Sequence, residues 1–183
     1  MGGTDCEFDS RRPDHMTLTT HAIVGAAMAS LVPQAPVLGF ALGFASHFAI
    51  DAIPHWAEGT VLLHSVEKET KDPLSRYIRG GRELLHDIAV VLTDSVIGFA
   101  LALLILFYLF HVSLYIVLLG ALAGQTPDGL QFIYMKLRPK LMDGLQRFHE
   151  SIQEEHTNPV YLLREVGLIA AVIILGILGA FVL

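Results

Sequence analysis

His47 and Asp51 stand four residues apart in the segment Ser46-His47-Phe48-Ala49-Ile50-Asp51-Ala52-Ile53-Pro54-His55-Trp56. On a helix that spacing puts an imidazole and a carboxylate on one face, about a turn apart, so both can ligate one ion. His55 follows the Pro54 break and lies off the helix, where a turn can fold its ring back toward the same point. Ionisable side chains in or beside a membrane segment are expensive and mark functional sites. Nitrogen and oxygen donors of this kind suit zinc or a similar ion. The competing reading is a buried, hydrogen-bonded His47–Asp51 pair that locks a helix hairpin.

The remaining donors must come from elsewhere in the chain. His21, one turn into the first apolar segment, reaches the level of His47 once the hairpin closes. Asp87 and Asp94 are seven apart, hence on one helix face, and Asp94 sits about two turns into an apolar run. An unpaired carboxylate there needs a cation or a donor, which makes Asp94 a candidate ligand or catalytic base against an interhelical hydrogen bond. Asp128, in Thr126-Pro127-Asp128-Gly129, is expected to end the fourth helix. An anion at a helix C-terminus wants a cation, although Pro-Asp-Gly is also an ordinary turn. His149 lies in an amphipathic stretch, from which it can cap the site from above. His15, His64, His86, His111 and His156 read as surface or interfacial residues, and Trp56 as an interfacial anchor.

Five elements are expected to position these groups. Thr17 to Thr20 supply an N-cap for an apolar helix over 21–32, and Pro33 and Pro36 stop it. A second runs from Val37 to Ala52 and ends near Pro54. Each is about 16 residues, or ~24 Å, slightly short of the ~30 Å hydrocarbon core. Residues 56–83 form a polar loop with a Gly80-Gly81 break. A long helix follows from Leu84 to Phe110, His111 to Ser113 make a turn, and Leu114 to Gly124 return. The 125–129 string breaks that run before an amphipathic stretch. Val166 to Leu183 is unbroken in apolar residues and glycines, long enough for a last transmembrane helix.

Composition agrees with a membrane origin. The 183 residues are 53% hydrophobic and 16% charged, with a mean hydropathy of +0.55, whereas soluble domains are ~45–50% apolar and ~25% charged. A net charge of −6 and basic residues scattered in loops exclude nucleic acid as a stable partner. Cys6 is the single cysteine, so no intrachain disulfide or cysteine-based zinc site can form. Gly2 lacks the Ser or Thr at position 6 that myristoylation wants. Arg11 and Arg12 before an apolar stretch faintly mimic a secretory signal, but a second apolar run follows at once. The basic residues fall in the tail, in 56–83 (Lys68, Lys71, Arg76, Arg79, Arg82) and in 136–164, while the tips at 33–36 and 111–113 carry none. Positive-inside logic then puts the tail and both loops in the cytoplasm, and the histidines and aspartates gather on that side.

The string Thr20-His21, then Gly43-Phe44-Ala45-Ser46-His47 through Asp51 to His55, then Pro127-Asp128, resembles small bacterial integral-membrane proteins grouped as membrane-bound metal-dependent hydrolases. That group is distantly similar to the zinc-dependent phospholipase C and P1 nuclease enzymes, which bind zinc through His-x-x-x-Asp helical motifs. The resemblance covers about residues 17–150, with the 43–56 motif its specific part. It implies His21, His47, Asp51 and His55 as metal ligands and Asp128 as a weaker one. The Pro-Asp-x-Asp-His string of such families is represented here only by Pro127-Asp128-Gly129.

The resulting expectation is an all-α inner-membrane bundle of about five transmembrane helices. It comprises a disordered tail over 1–15, a core over 16–165 and a terminal helix over 166–183. A zinc-like ion held by His21, His47, Asp51, His55 and His149, with Asp94 or Asp128 orienting a water, would hydrolyse a phosphoester in or at the lipid bilayer. The alternative is a non-catalytic membrane protein whose His/Asp cluster is structural or binds or conducts metal ions or protons. Transport predicts polar residues at mid-membrane and an internal repeat, and the two hairpins share no His-Asp pattern.

Overall fold

The computed structural model describes residues 17–53, 65–68 and 73–152, the backbone of 55–56 and 155–156, and five helical positions beyond residue 160. The fold is all-α. Among the described residues it has helices α1 (Leu18–Ser30), α2 (Pro36–Asp51), α3 (Arg82–Ala102), α4 (Leu114–Leu137) and α5 (Asp143–Ile152). The expectation of a helix over 166–183 lies outside the described residues apart from the isolated positions Gly167, Ala170, Ala171 and Ile174.

The centre of the fold is α1, buried from Thr20 through Ala26 and again at Ala29. An apolar helix with no polar face is stable only when wrapped by others, and α2, α3 and α4 all pack on it. Small residues set how close they come. A Cβ on Gly124 would lie 2.2 Å from the His21 carbonyl oxygen, one on Gly25 2.4 Å from that of Gly120, and one on Gly120 2.6 Å from Ala26 Cα. Gly120 and Gly124 are spaced as G-x-x-x-G, the pattern by which helices in lipid bring backbones together. Their order against Gly25 and His21 makes α4 antiparallel to α1. At the other end, Ala22, Ile23 and Ala26 pack with Ala102, Ile105, Leu106, Val117 and Ala121.

Two expectations are corrected here. Thr126-Pro127-Asp128-Gly129 does not break α4, which runs on through Pro127 to Leu137 and ends at Arg138 in the left-handed region (φ 50°) just before Pro139. Proline removes one backbone hydrogen bond, but Gln125, Pro127, Gln131, Tyr134 and Met135 are all buried on either side of it, and that packing keeps the helix going. The polar stretch after Trp56 is also not only loop. Val66–Lys68 (β2) pairs antiparallel with Arg76–Ile78 (β3), and His55–Trp56 (β1) pairs in parallel with Glu155–His156 (β4). Strands of two or three residues are too short to leave a period in the sequence.

α3 continues as a π-helical stretch over Leu103–Leu109. Arg82–Leu109 is the one segment among the described residues long and apolar enough to cross a membrane, and its most apolar 18 residues have a mean hydropathy of 2.5 with 22% of them buried. At 1.5 Å per residue it spans about 40 Å, more than the ~30 Å core. α1 and α2 are apolar but shorter, at 13 and 16 residues.

Candidate metal centre

α2 ends at Asp51 and α1 begins at Leu18, so the open end of their hairpin brings the last turn of α2 against the first turn of α1. Helix α4 adds its middle at the same level, because Gly124 packs on His21 and Asp128 is one turn further along. α5 closes over the top. Its seat is a glutamate shared by two amides: Gln131 Nε2 of α4 and Gln146 Nε2 of α5 both donate to Glu150 Oε1, at 3.3 and 3.0 Å. Tyr134 Oη donates to Asp143 Oδ1 at 3.0 Å and holds the start of α5.

Three imidazoles and two carboxylates converge there. His21, His47, Asp51 and His149 are each exposed by 1% or less. Asp51 is the hub: Oδ1 lies 3.2 Å from His21 Nε2, and Oδ2 lies 3.2 Å from His47 Nε2 and 3.0 Å from His149 Nε2. Asp128 sits on the rim, with Oδ1 3.7 Å from His47 Nε2 and Oδ2 4.0 Å from His21 Nε2. The His21 and His47 rings stack at 3.9 Å. Two triads, His21–His47–Asp128 and His47–Asp51–His149, have donor atoms within 4.8 Å of one another and are able to hold a metal ion.

Proton bookkeeping tests whether such an ion fits. His47 Nδ1 is 2.9 Å from the Gly124 carbonyl oxygen, which only accepts, so Nδ1 carries the hydrogen and Nε2 of the neutral ring presents a lone pair. That lone pair faces Asp51 Oδ2 and also His149 Nε2 at 3.0 Å. Several acceptors crowded in a dry site repel unless a cation or extra protons sit among them. Among the described residues, Asp51 Oδ1 and Asp128 Oδ2 are buried without a hydrogen-bond partner, as is His21 Nδ1. Tetrahedral ligands ~2.0–2.1 Å from a zinc-sized ion lie about 3.3 Å apart, against separations of 3.0 to 4.0 Å here. A ring hydrogen on a backbone carbonyl is also the usual way a ligating histidine is oriented. The donor set is able to hold a metal ion, and its chemistry leaves the ion's identity open.

The structure therefore brings together His21, His47, Asp51, Asp128 and His149. Asp94 is elsewhere. Its Oδ2 accepts from the Leu18 backbone N–H at 2.7 Å and its Oδ1 from Thr19 Oγ1 at 2.6 Å, so it caps the start of α1 from the neighbouring helix, where free N–H groups and the helix dipole favour an anion. Asp87 accepts from the Ser65 backbone N–H and hydroxyl at 2.7 and 2.6 Å and ties the β2–β3 ribbon to α3. The side chain of His55 lies outside the described residues. Sequence reasoning passed over Gly124, which sets both the approach of α1 and the tautomer of His47; its G-x-x-x-G spacing was the available signal. In comparisons with known proteins, the chain matches no family model, no curated protein and no solved structure.

Proposed function

We propose that this chain is a membrane-embedded metalloprotein with hydrolase chemistry at one membrane face. The observation that carries it is the convergence of three imidazole Nε2 atoms on two carboxylates in a buried site at the open end of the α1–α2 hairpin. The long apolar α3, with 22% of its most apolar stretch buried, supports membrane insertion, and exposed Val37 and Leu38 of α2 and Leu114, Leu118 and Leu122 of α4 support a multi-pass bundle packed on α1.

His21, His47, His149 and Asp51 would hold the ion, with Asp51 orienting all three rings. A bound divalent ion supplies Lewis-acid polarisation of a phosphoryl or acyl oxygen and lowers the pKa of water toward ~7. Asp128, exposed at 17% where its neighbours are closed, would orient an entering water and hold its proton. A phosphoester is the substrate class that such hard-oxygen chemistry favours. The rival reading is a structural network, which the 3.0 Å His149–Asp51 hydrogen bond favours.

Elemental analysis by mass spectrometry of detergent-purified protein, wild type beside His47→Ala and Asp51→Asn after dialysis against metal-free buffer, separates the two. Near-stoichiometric zinc, manganese or iron lost from both variants, followed by cleavage of bis-p-nitrophenyl phosphate by wild type alone, is the expected result. No metal in folded wild type would leave the structural network in its place.

A further inference from the structure

A cavity of about 300 Å³ lies between α3 and α4, walled by Leu18, Ile88, Val91, Leu92, Phe132 and Asp128. Pockets for small molecules start near ~300 Å³. The other polar groups on its wall are engaged with one another: Ser65 with Asp87, Ser95 Oγ with Gln125 Oε1, and Gln125 Nε2 with the Leu18 carbonyl oxygen. What faces an occupant is almost entirely hydrocarbon, and Asp128 is the lining residue whose carboxylate reaches the histidines beyond the wall. Asp128 also belongs to the His21–His47 triad, and its Oδ2 has no hydrogen-bond partner among the described residues. The cavity and the metal centre thus share one side chain.

Two lining residues reach the surface. Leu92 is 58% exposed and Phe132 38%, and Leu92 lies on the membrane-length helix beside exposed Val96. The cavity thus borders the apolar outer face at Leu92 and Phe132 and the His/Asp cluster at Asp128. An occupant matching both ends has a hydrocarbon chain and a polar head.

We infer that the α3–α4 cavity seats the acyl chain of a single-chain phosphate amphiphile whose head reaches the His/Asp centre beside Asp128. This rests on the reading of that centre as one acting on phosphoesters, and narrows its substrate to lipid-like molecules. Chain-free phosphoesters would lack the contact that positions the head.

The test is photolabelling of zinc-loaded protein in phosphatidylcholine nanodiscs with a lysophosphatidic acid carrying a diazirine near its chain end, crosslinks being mapped by mass spectrometry. Val91→Trp fills the cavity, and Val96→Trp places the same ring on the same helix outside it. Labelling at Ile88, Val91 and Phe132 is expected, weaker by about tenfold in Val91→Trp, equivalent to ~1.4 kcal/mol of binding, unchanged in Val96→Trp, and competed by unlabelled lysophosphatidic acid but not by glycerol 3-phosphate. Equal labelling in wild type and Val91→Trp, or labels spread evenly along exposed α3, would overturn the inference. Zinc content of the same samples separates the two layers. Bound zinc without cavity labelling overturns the acyl seat and leaves the metal centre, and cavity labelling without zinc supports the seat while removing the hydrolase. Should Val91→Trp not fold, Val91→Phe is read the same way.

Discussion

At the scale of residues, Asp51 holds the centre together because both its oxygens face imidazole nitrogens. Asp51→Asn keeps the shape but replaces one acceptor oxygen with an amide and removes the charge. Metal content after dialysis is therefore expected to fall to background while the circular dichroism spectrum stays helical; retained metal would remove Asp51 from the ligand set. Asp94 predicts the opposite pattern. Asp94→Ala takes the acceptor from the Leu18 N–H and Thr19 hydroxyl, which costs about 1–2 kcal/mol by analogy with lost helix caps. A lower melting temperature with unchanged metal content is the expected outcome, and loss of metal with unchanged stability would return Asp94 to the site.

At the scale of elements, the α1–α4 contact decides whether the donors meet. Gly124 lies against the His21 backbone and offers its own carbonyl to His47 Nδ1, so one small residue positions two ligands. Gly124→Ala puts a methyl 2.2 Å from the His21 oxygen and must push the helices apart. Overpacking of this kind costs about 1–3 kcal/mol, and zinc affinity, read by competition with a chromogenic chelator, is expected to weaken with it. Gly144→Ala in α5 meets no atom within 4 Å and serves as the control expected to leave both unchanged. Equal behaviour of the two variants would show that the close approach does not set the site. α5 covers the candidate centre, and the Gln131–Glu150–Gln146 link holds it so that His149 reaches Asp51.

At the scale of the whole molecule, the proposed membrane crossing rests on the most apolar 18 residues of α3 and its π-helical continuation, whose mean hydropathy is 2.5 and of which 22% are buried. The ends of α3 then lie on opposite sides. In a Cys6→Ser background, Gly80→Cys just before α3 and Ser113→Cys just after its π-helical end are expected to react with a membrane-impermeant maleimide from opposite faces of sealed vesicles, Gly80→Cys from the cytoplasmic one. Reaction of both from one face would show that α3 does not cross. The candidate metal centre lies at the end of α1 marked by Thr17 to His21; α1 starts beside Asp94, about midway along Arg82–Leu109, and runs toward Ala102, Ile105 and Leu106, so that end is the one turned toward Gly80. Chemistry would thus occur on the same side as Gly80.

The residues able to do chemistry were legible in the chain itself, because His and Asp cost too much in apolar segments to be incidental, and a four-residue spacing leaves a helix little choice but to align His47 with Asp51. The helices of the two hairpins were legible for a similar reason, since long apolar runs bounded by proline and polar turns have few alternatives. Which carboxylates join the centre was not. Asp94, within an apolar run, and Asp128, in a Pro-Asp-Gly string, both read as candidates, and only the packing of α3 on the start of α1 sends Asp94 to a helix terminus while the continuation of α4 through Pro127 delivers Asp128 to the histidines. His149 comes from 98 residues beyond Asp51, a distance across which no local rule acts. Tertiary packing decided these, since burial of neighbouring side chains outweighs a single proline's preference and selects which polar groups meet.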